Sequence, residues 1–222
     1  MKKPVIAIDG FSSTGKSSIS KIIAQKLDLI HIDTGALYRG ITLYAFNHCL
    51  NSEGRIDEAS LISNLNNIHL KFRNEDQTLV LYLNDINIDR EIRDPKISGL
   101  VSDVAKMPEV RDFLLKTQRD LALEGGVIMD GRDIGTVVLK DADYKFFLTA
   151  SIEERTNRRY LELKGQGVEI DRLTVQENLI TRDKIDSERE VAPLKQAEDA
   201  ILIDNSTLTK EETIDLIISY IK

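Results

Sequence analysis

The octet Gly10-Phe11-Ser12-Ser13-Thr14-Gly15-Lys16-Ser17 constrains this chain more than any other stretch. It satisfies G-x-x-x-x-G-K-S, and its surroundings agree with it. The apolar run Val5-Ile6-Ala7-Ile8 precedes it, and Ile19, Ile22, Ile23 and Leu27 follow at helical spacing. The octet therefore lies between a buried strand and a helix N-terminus. Its glycines let the backbone wrap an anion. The first N–H groups of the helix have no intrahelical acceptor and are free to face phosphate. Lys16 is placed to reach β and γ oxygens, and the Ser17 hydroxyl suits the shell of a Mg²⁺ ion. A nucleoside triphosphate is the expected ligand.

Composition narrows the setting. A length of 222 residues suits one compact core with inserted segments. Hydrophobic content of 41% and charged content of 30% are those of a soluble globular protein. A single cysteine, Cys49, rules out an internal disulfide framework and fits a reducing compartment. Met1-Lys2-Lys3-Pro4 leads straight into a strand too short for a signal peptide or membrane span, so a cytoplasmic protein with no membrane partner is expected. The net charge of −7 argues against a nucleic-acid polymer as partner. Yet seven of the 14 arginines fall between Arg132 and Arg189, a local concentration suited to a small anion. Ordinary surface ion pairs would account for part of that set.

Five apolar runs read as buried strands: Val5–Ile8, Leu29–Ile32, Val127–Met129, Phe146–Leu148 and Ala200–Ile203. Asp9, Asp33, Asp130 and Asp204 follow four of them. Helices are expected between. Ser151 with Glu154, Thr174 with Glu177 and Thr209 with Glu212 have capping-box spacing, and Ile214, Ile217, Ile218 and Ile221 form a stripe. Such alternation predicts an α/β fold with a five-stranded parallel sheet between two helical layers, its ligands at the carboxyl ends of the strands. Residues 68 to 92 break the rhythm. Ile68–Phe72, Thr78–Leu83 and Ile86–Ile88, with Asn84-Asp85 between the last two, predict short antiparallel strands inserted in the core.

Three polar segments follow strands. Asp33-Thr34-Gly35-Ala36-Leu37-Tyr38-Arg39 offers an arginine able to clamp phosphate, or more simply an N-cap at Thr34 with a surface arginine. In Asp130-Gly131-Arg132-Asp133-Ile134-Gly135-Thr136, Asp130 sits where a metal-facing or water-positioning acid lies in phosphate-loop proteins. Arg132 and Asp133 place a cation beside an acceptor, and a structural ion pair is the alternative reading. Late in the chain, Arg182, Asp186 and Arg189 are spaced to share one helical face. Arg155, Arg158 and Arg159 share another, ahead of Lys164-Gly165-Gln166-Gly167, as a mobile lid or a solvated face would. His31, His48 and His69 have no metal-ligand spacing, and His31 is expected to pack or hydrogen-bond within its strand.

Together these segments resemble the cytidylate kinase family of nucleoside monophosphate kinases. The likeness runs in order through Ile8–Ser17, Asp33–Arg39, Glu91–Arg93, Val101–Ala105 with Pro108–Arg111, Asp130–Val138 with Asp141-Ala142, Arg182–Leu194 and Asp199–Asp204. It implies a three-layer phosphate-loop kinase fold over 1–222, with a monophosphate-binding insertion at about 64–95 and a lid at about 153–170. It implies transfer of the ATP γ-phosphoryl group to CMP or dCMP with Mg²⁺, in a monomer. Gly10, Phe11, Ser12, Ser13, Thr14, Gly15, Lys16, Ser17 and Ser18 then bind ATP, and Ser17 holds the metal with Asp130 facing it through water. Ser102, Arg111 and Asp133 fall to the cytosine edge, and Arg182 and Asp186 to the sugar. Arg39, Arg132 and Arg189 fall to the acceptor phosphate, beside Thr34 and Tyr38. Lys16, Arg132 and the lid arginines Arg155, Arg158 and Arg159 would stabilise the transferring group. Two departures stand out: Phe11-Ser12-Ser13 where relatives often have proline and small residues, and Thr34 where some have serine. A kinase for UMP, AMP or a non-nucleotide metabolite is the competing enzyme. A GTPase-type switch lacks any Asn-Lys-x-Asp segment, and a binding module would leave one half of the motifs unexplained.

Overall fold

The computed structural model describes residues 3–75 and 78–221. Along the chain run β1 (Val5–Gly10), α1 (Lys16–Leu27), β2 (Ile30–Asp33), α2 (Thr34–His48), α3 (Glu58–Asn64), β3 (Leu70–Glu75), β4 (Thr78–Leu83) and β5 (Ile86–Asn87). There follow α4 (Pro95–Ala105), α5 (Pro108–Asp120), β6 (Val127–Gly131), β7 (Tyr144–Thr149), α6 (Ile152–Gly165), α7 (Arg172–Glu188), β8 (Ile201–Asp204) and α8 (Lys210–Tyr220). The chain divides into two compact units, Met1–Ile32 with Leu121–Lys222, and Asp33–Asp120.

The first unit is built on the five-stranded parallel sheet, in the order β2-β6-β1-β7-β8. The central strands are apolar on both faces because helices cover both. Ile6, Ala7 and Ile8 of β1 and Ile128 and Met129 of β6 have no exposed surface. The edge strands alternate instead: Ile30 of β2 and Leu202 of β8 are exposed while Ile32 and Ile203 are buried. Ile19 and Ile23 of α1 and Ile214 and Ile217 of α8 close over Ile6, Ile8, Phe146 and Leu148. Each such isoleucine contributes about 1.5–3 kcal/mol by leaving water. The stripe on α8 starts where the Thr209 box predicts. The Glu212 N–H donates to Thr209 Oγ1 (3.1 Å), and the Thr209 N–H donates to Glu212 Oε2 (2.8 Å). Thr209→Ala is expected to cost about 1 kcal/mol, read as a lower urea midpoint with an unchanged slope.

Two expected caps are corrected. Helix α7 starts at Arg172 and is capped by Asp171, which accepts from the Thr174 N–H (2.8 Å), so Thr174 lies inside the first turn. Asp33, not Thr34, caps α2 by accepting from the Ala36 N–H (3.1 Å). In both places an aspartate upstream offers a better acceptor than a threonine hydroxyl.

In the second unit α2 lies at the centre. Leu37, Ile41 and Ala45 pack with Leu61 of α3, Leu81 of β4, Val101 and Val104 of α4, and Val110 and Leu114 of α5. Strands β3, β4 and β5 form the expected antiparallel sheet. Asn84 (φ 47°) and Asp85 (φ 65°) both adopt left-handed backbone, the geometry that joins two strands by a two-residue turn with the right twist.

Candidate active site

The phosphate loop leaves β1 and enters α1. Gly15 precedes the helix with φ 89°, and no side chain among the described residues caps that start. The first-turn N–H groups of Lys16, Ser17 and Ser18 are thereby left for an anion. Ser13 is held at φ 60°, a conformation that costs a seryl residue energy and that here shapes the loop. Phe11 is also accounted for. Its ring meets Phe147 edge-on, with centroids 5.8 Å apart, and the Arg155 guanidinium lies 5.2 Å above it.

Lys16 turns inward. Its ammonium donates to the Phe11 carbonyl (2.6 Å) and lies 3.4 Å from Thr14 Oγ1. Burial holds its pKa well below the ordinary lysine value, and Arg132 pushes the same way against Asp130, Asp9 and Asp183. A polyanion arriving in the loop would reverse that balance by favouring the charged form.

Positive charge surrounds the loop. Arg132 donates from Nε to Asp186 Oδ2 (2.9 Å) and from Nη2 to Ser12 Oγ (2.7 Å). Burial pulls its pKa down, but the Asp186, Asp183 and Asp130 carboxylates together more than offset this and the net shift is upward. Arg155 donates to the Ser12 carbonyl (3.3 Å) and to Asp183, whose other oxygen faces the Ser12 N–H at 3.4 Å. Arg158 bridges the Thr14 carbonyl (3.3 Å), Asn205 Oδ1 (3.1 Å) and the Asn205 carbonyl (2.8 Å). Two of the three expected lid arginines thus hold the loop backbone. Arg159 pairs with Glu162 Oε2 (2.8 Å) on its own helix.

The neighbours Arg132 and Asp133 are each ion-paired, but to other partners. Asp133 accepts from Arg189 Nη2 (3.2 Å), and Arg132 is held by Asp186. Arg189 is not on the α7 face with Arg182 and Asp186. It lies one residue past the helix in extended backbone (φ −61°, ψ 142°) and donates from Nε to the Ala192 carbonyl (2.7 Å). The chain leaves α7 there, and the side chain meets the buried carboxylate of Asp133. Arg182 stays on α7, one turn before Asp186.

In the unit Asp33–Asp120, Thr34, Tyr38, Ser102 and Arg111 are all buried. Arg111 lies 5.5 Å from the Tyr38 ring centroid and donates to the Ala105 carbonyl (3.1 Å). Arg39 is held by Asp33 Oδ2 (2.8 Å).

Three residues outside the expected set have clear roles. Asn205 is buried and donates to the Thr14 carbonyl (2.9 Å), Asp183 links Arg155 to Ser12, and Asp9 accepts two backbone N–H groups. Asp9 is pushed up to about 6 by burial, against the Gly135 and Ile134 N–H groups that favour its charged form. The signal for Asp9 and Asn205 was their place at or just past the carboxyl end of a strand.

A parallel sheet with flanking helices, and an uncapped glycine loop between its central strand and a helix, define a phosphate-loop kinase. Comparison with known proteins gives the particular family. The family model for cytidylate kinase matches residues 6–222. The chain is 46% identical over 218 residues to a cytidylate kinase of Caldicellulosiruptor saccharolyticus, covering 98% of this chain and 95% of that protein. It is 45% identical over 216 residues to a cytidylate kinase of a Geobacillus species, covering 97% and 95%. A solved structure of an uncharacterized protein from Eubacterium ventriosum has a TM-score of 0.50 at 16% identity, covering 99% of this chain and 98% of that one, a likeness of fold alone. The chain belongs to the cytidylate kinase family and is a phosphotransferase. No helix of the described residues is long and apolar enough to cross a membrane.

Proposed function

We propose that the protein transfers the γ-phosphoryl group of ATP to CMP or dCMP, giving ADP with CDP or dCDP. The near-full-length family match carries the substrate assignment, and the loop with its arginines supports the chemistry. The attacking atom is a phosphate oxygen, largely ionised near neutral pH because its second pKa is about 6. No general base is needed. The obstacle is repulsion between two anions, which positive charge and in-line positioning overcome. Lys16, Arg132, Arg155 and Arg158 all bond to the loop, and Arg159 completes the lid set. Among the described residues no group of three or more His, Cys, Asp and Glu could hold a metal ion. A Mg²⁺ that travels with a triphosphate needs only one or two protein oxygens. Ser17 and Asp130 are hard oxygen donors of that kind, and the ion would offset charge on the transferring phosphates.

For the acceptor, Asp133 takes the N4 amino group of cytosine, and Ser102 and Arg111 donate to N3 and O2. Uracil would turn an oxygen toward the carboxylate, a mismatch that buried polar sites reject strongly. Asp186 and Arg182 serve the sugar, and Arg39, Arg132 and Arg189 the phosphate, beside Thr34 and Tyr38. Roughly residues 64–95 act as the monophosphate-binding insertion and roughly 153–170 as the lid. A monomeric, cytoplasmic enzyme completes the proposal, and buried Cys49 fits it.

An assay of CMP, dCMP, UMP and AMP side by side, with ATP and Mg²⁺, tests this. CMP and dCMP should be phosphorylated far faster than the others. Equal rates would refute the base-reading roles, and hydrolysis without transfer would refute the kinase.

A further inference from the structure

Asp9 holds neither nucleotide in the reading above, yet it is buried in the first unit. A charged carboxylate there must be hydrogen-bonded to persist. Its two oxygens accept the N–H groups of Ile134 and Gly135, each at 2.8 Å. These are the first donors of the single π-helical turn Ile134–Val138, and such donors have no partner within their own turn. The turn begins at Asp133, whose carbonyl accepts from the Val137 N–H (2.9 Å) and the Val138 N–H (3.2 Å). The carboxylate therefore grips the backbone immediately beyond Asp133. The Lys145 stem also lies against the turn at Gly135. A Cβ on Gly135 would be 3.2 Å from Lys145 Cδ and 3.4 Å from Asp9 Oδ2. The Lys145 ammonium is itself fixed by Asp199 Oδ2 (2.7 Å) and the Lys140 carbonyl. Asp9 also directly precedes Gly10, where the phosphate loop starts.

We infer that Asp9 is a positioning residue for the acceptor nucleotide: it sets the backbone from which Arg132 and Asp133 project and fastens it to the strand that carries the phosphate loop. This rests on the proposed roles of Arg132 and Asp133. A group displaced by about an ångström at a reacting centre can cost on the order of 100-fold. Asp9→Asn keeps the shape of the side chain but turns an NH₂ toward one of the two N–H donors. The turn must then shift, while Lys16 loses one opposing charge but keeps its bond to the Phe11 carbonyl.

The test is steady-state kinetics of the wild type, Asp9→Asn and Gly135→Ala, each nucleotide varied at saturating concentration of the other, with UMP as a parallel acceptor. Urea unfolding checks the fold of each variant. Asp9→Asn should raise KM for CMP about 10-fold or more and erode the preference for CMP over UMP, with KM for ATP within about threefold of wild type. Gly135→Ala, with Asp9 intact, should shift the same constants in the same direction. A folded Asp9→Asn in which both KM values rise in step, or neither moves, overturns the inference. Should Asp9→Asn fail to fold, the same split in Gly135→Ala decides. If the wild type prefers another monophosphate, the substrate proposal fails, and the split is read with that acceptor instead.

Discussion

Lys16→Met should lower kcat by about 10²–10³ or more while leaving the affinity for CMP within a few-fold of wild type. Methionine keeps most of the unbranched stem, so packing in the loop changes little. What disappears is the ammonium. In the resting loop that ammonium is bonded to the Phe11 carbonyl, and burial disfavours its charge. Asp130, Asp9 and Asp183 oppose that trend without overcoming it. With a triphosphate bound, the same group would face oxygens whose charge grows as the bond to the γ-phosphorus loosens. An interaction that strengthens toward the transition state appears in kcat, whereas one made equally in ground and transition states appears in KM. Arg132, Arg155 and Arg158 remain in the variant and hold the loop through Ser12 and Thr14, so binding should persist. Turnover with calorimetric binding of CMP measures the split. Unchanged kcat would remove Lys16 from the chemistry, and loss of both turnover and CMP binding would make its role structural.

The four strand-end aspartates show how much of this was legible in the sequence. Their position after apolar runs located the ends of β1, β2, β6 and β8. Their tasks were not legible. Asp33 caps α2, Asp204 accepts from the Ser206 N–H (2.9 Å), Asp130 lies 3.5 Å from His31 Nε2, and Asp9 binds a turn 125 residues away. Periodicity and turn chemistry are local, so the sheet, the α8 capping box and the Asn84-Asp85 turn could be read directly. Partnerships such as Arg132 with Asp186, Arg155 with Asp183 and Arg158 with Asn205 depend on which strand neighbours which. Spacing carries no record of that order. Arg189 illustrates the limit: its i+7 spacing from Arg182 assumes that the helix continues, and the helix stops one residue short of it. The family likeness assigned Arg132, Asp133, Asp186 and Arg189 to the acceptor nucleotide, but it did not reveal that both acids are already engaged by arginines.

Gly10→Ala should be the most destabilising small substitution in the loop, at more than about 3 kcal/mol. Gly10 has φ 146°, in a region that side chains rarely enter. Backbone conformation is the lesser part of the cost. A Cβ at this position would lie 2.0 Å from the Leu148 carbonyl oxygen, 2.8 Å from its carbon and 2.9 Å from its nitrogen. None of these atoms can swing aside as a side-chain end would. Leu148 sits in β7, paired with Gly10 on one side and with Ile203 of β8 on the other. Relief requires parting β1 from β7, which would also break the bond from the Phe11 N–H to the Leu148 carbonyl (3.3 Å) at the loop entrance. Gly54→Ala is the control. Gly54 also has positive φ, at 74°, but a Cβ there meets nothing within 4 Å, so only the conformational cost of about 1 kcal/mol remains. Urea unfolding of both variants separates the two causes. A Gly10→Ala protein no less stable than Gly54→Ala would mean that β1 and β7 can part without loss, and that the close approach at Leu148 is not what holds the phosphate loop on its strand.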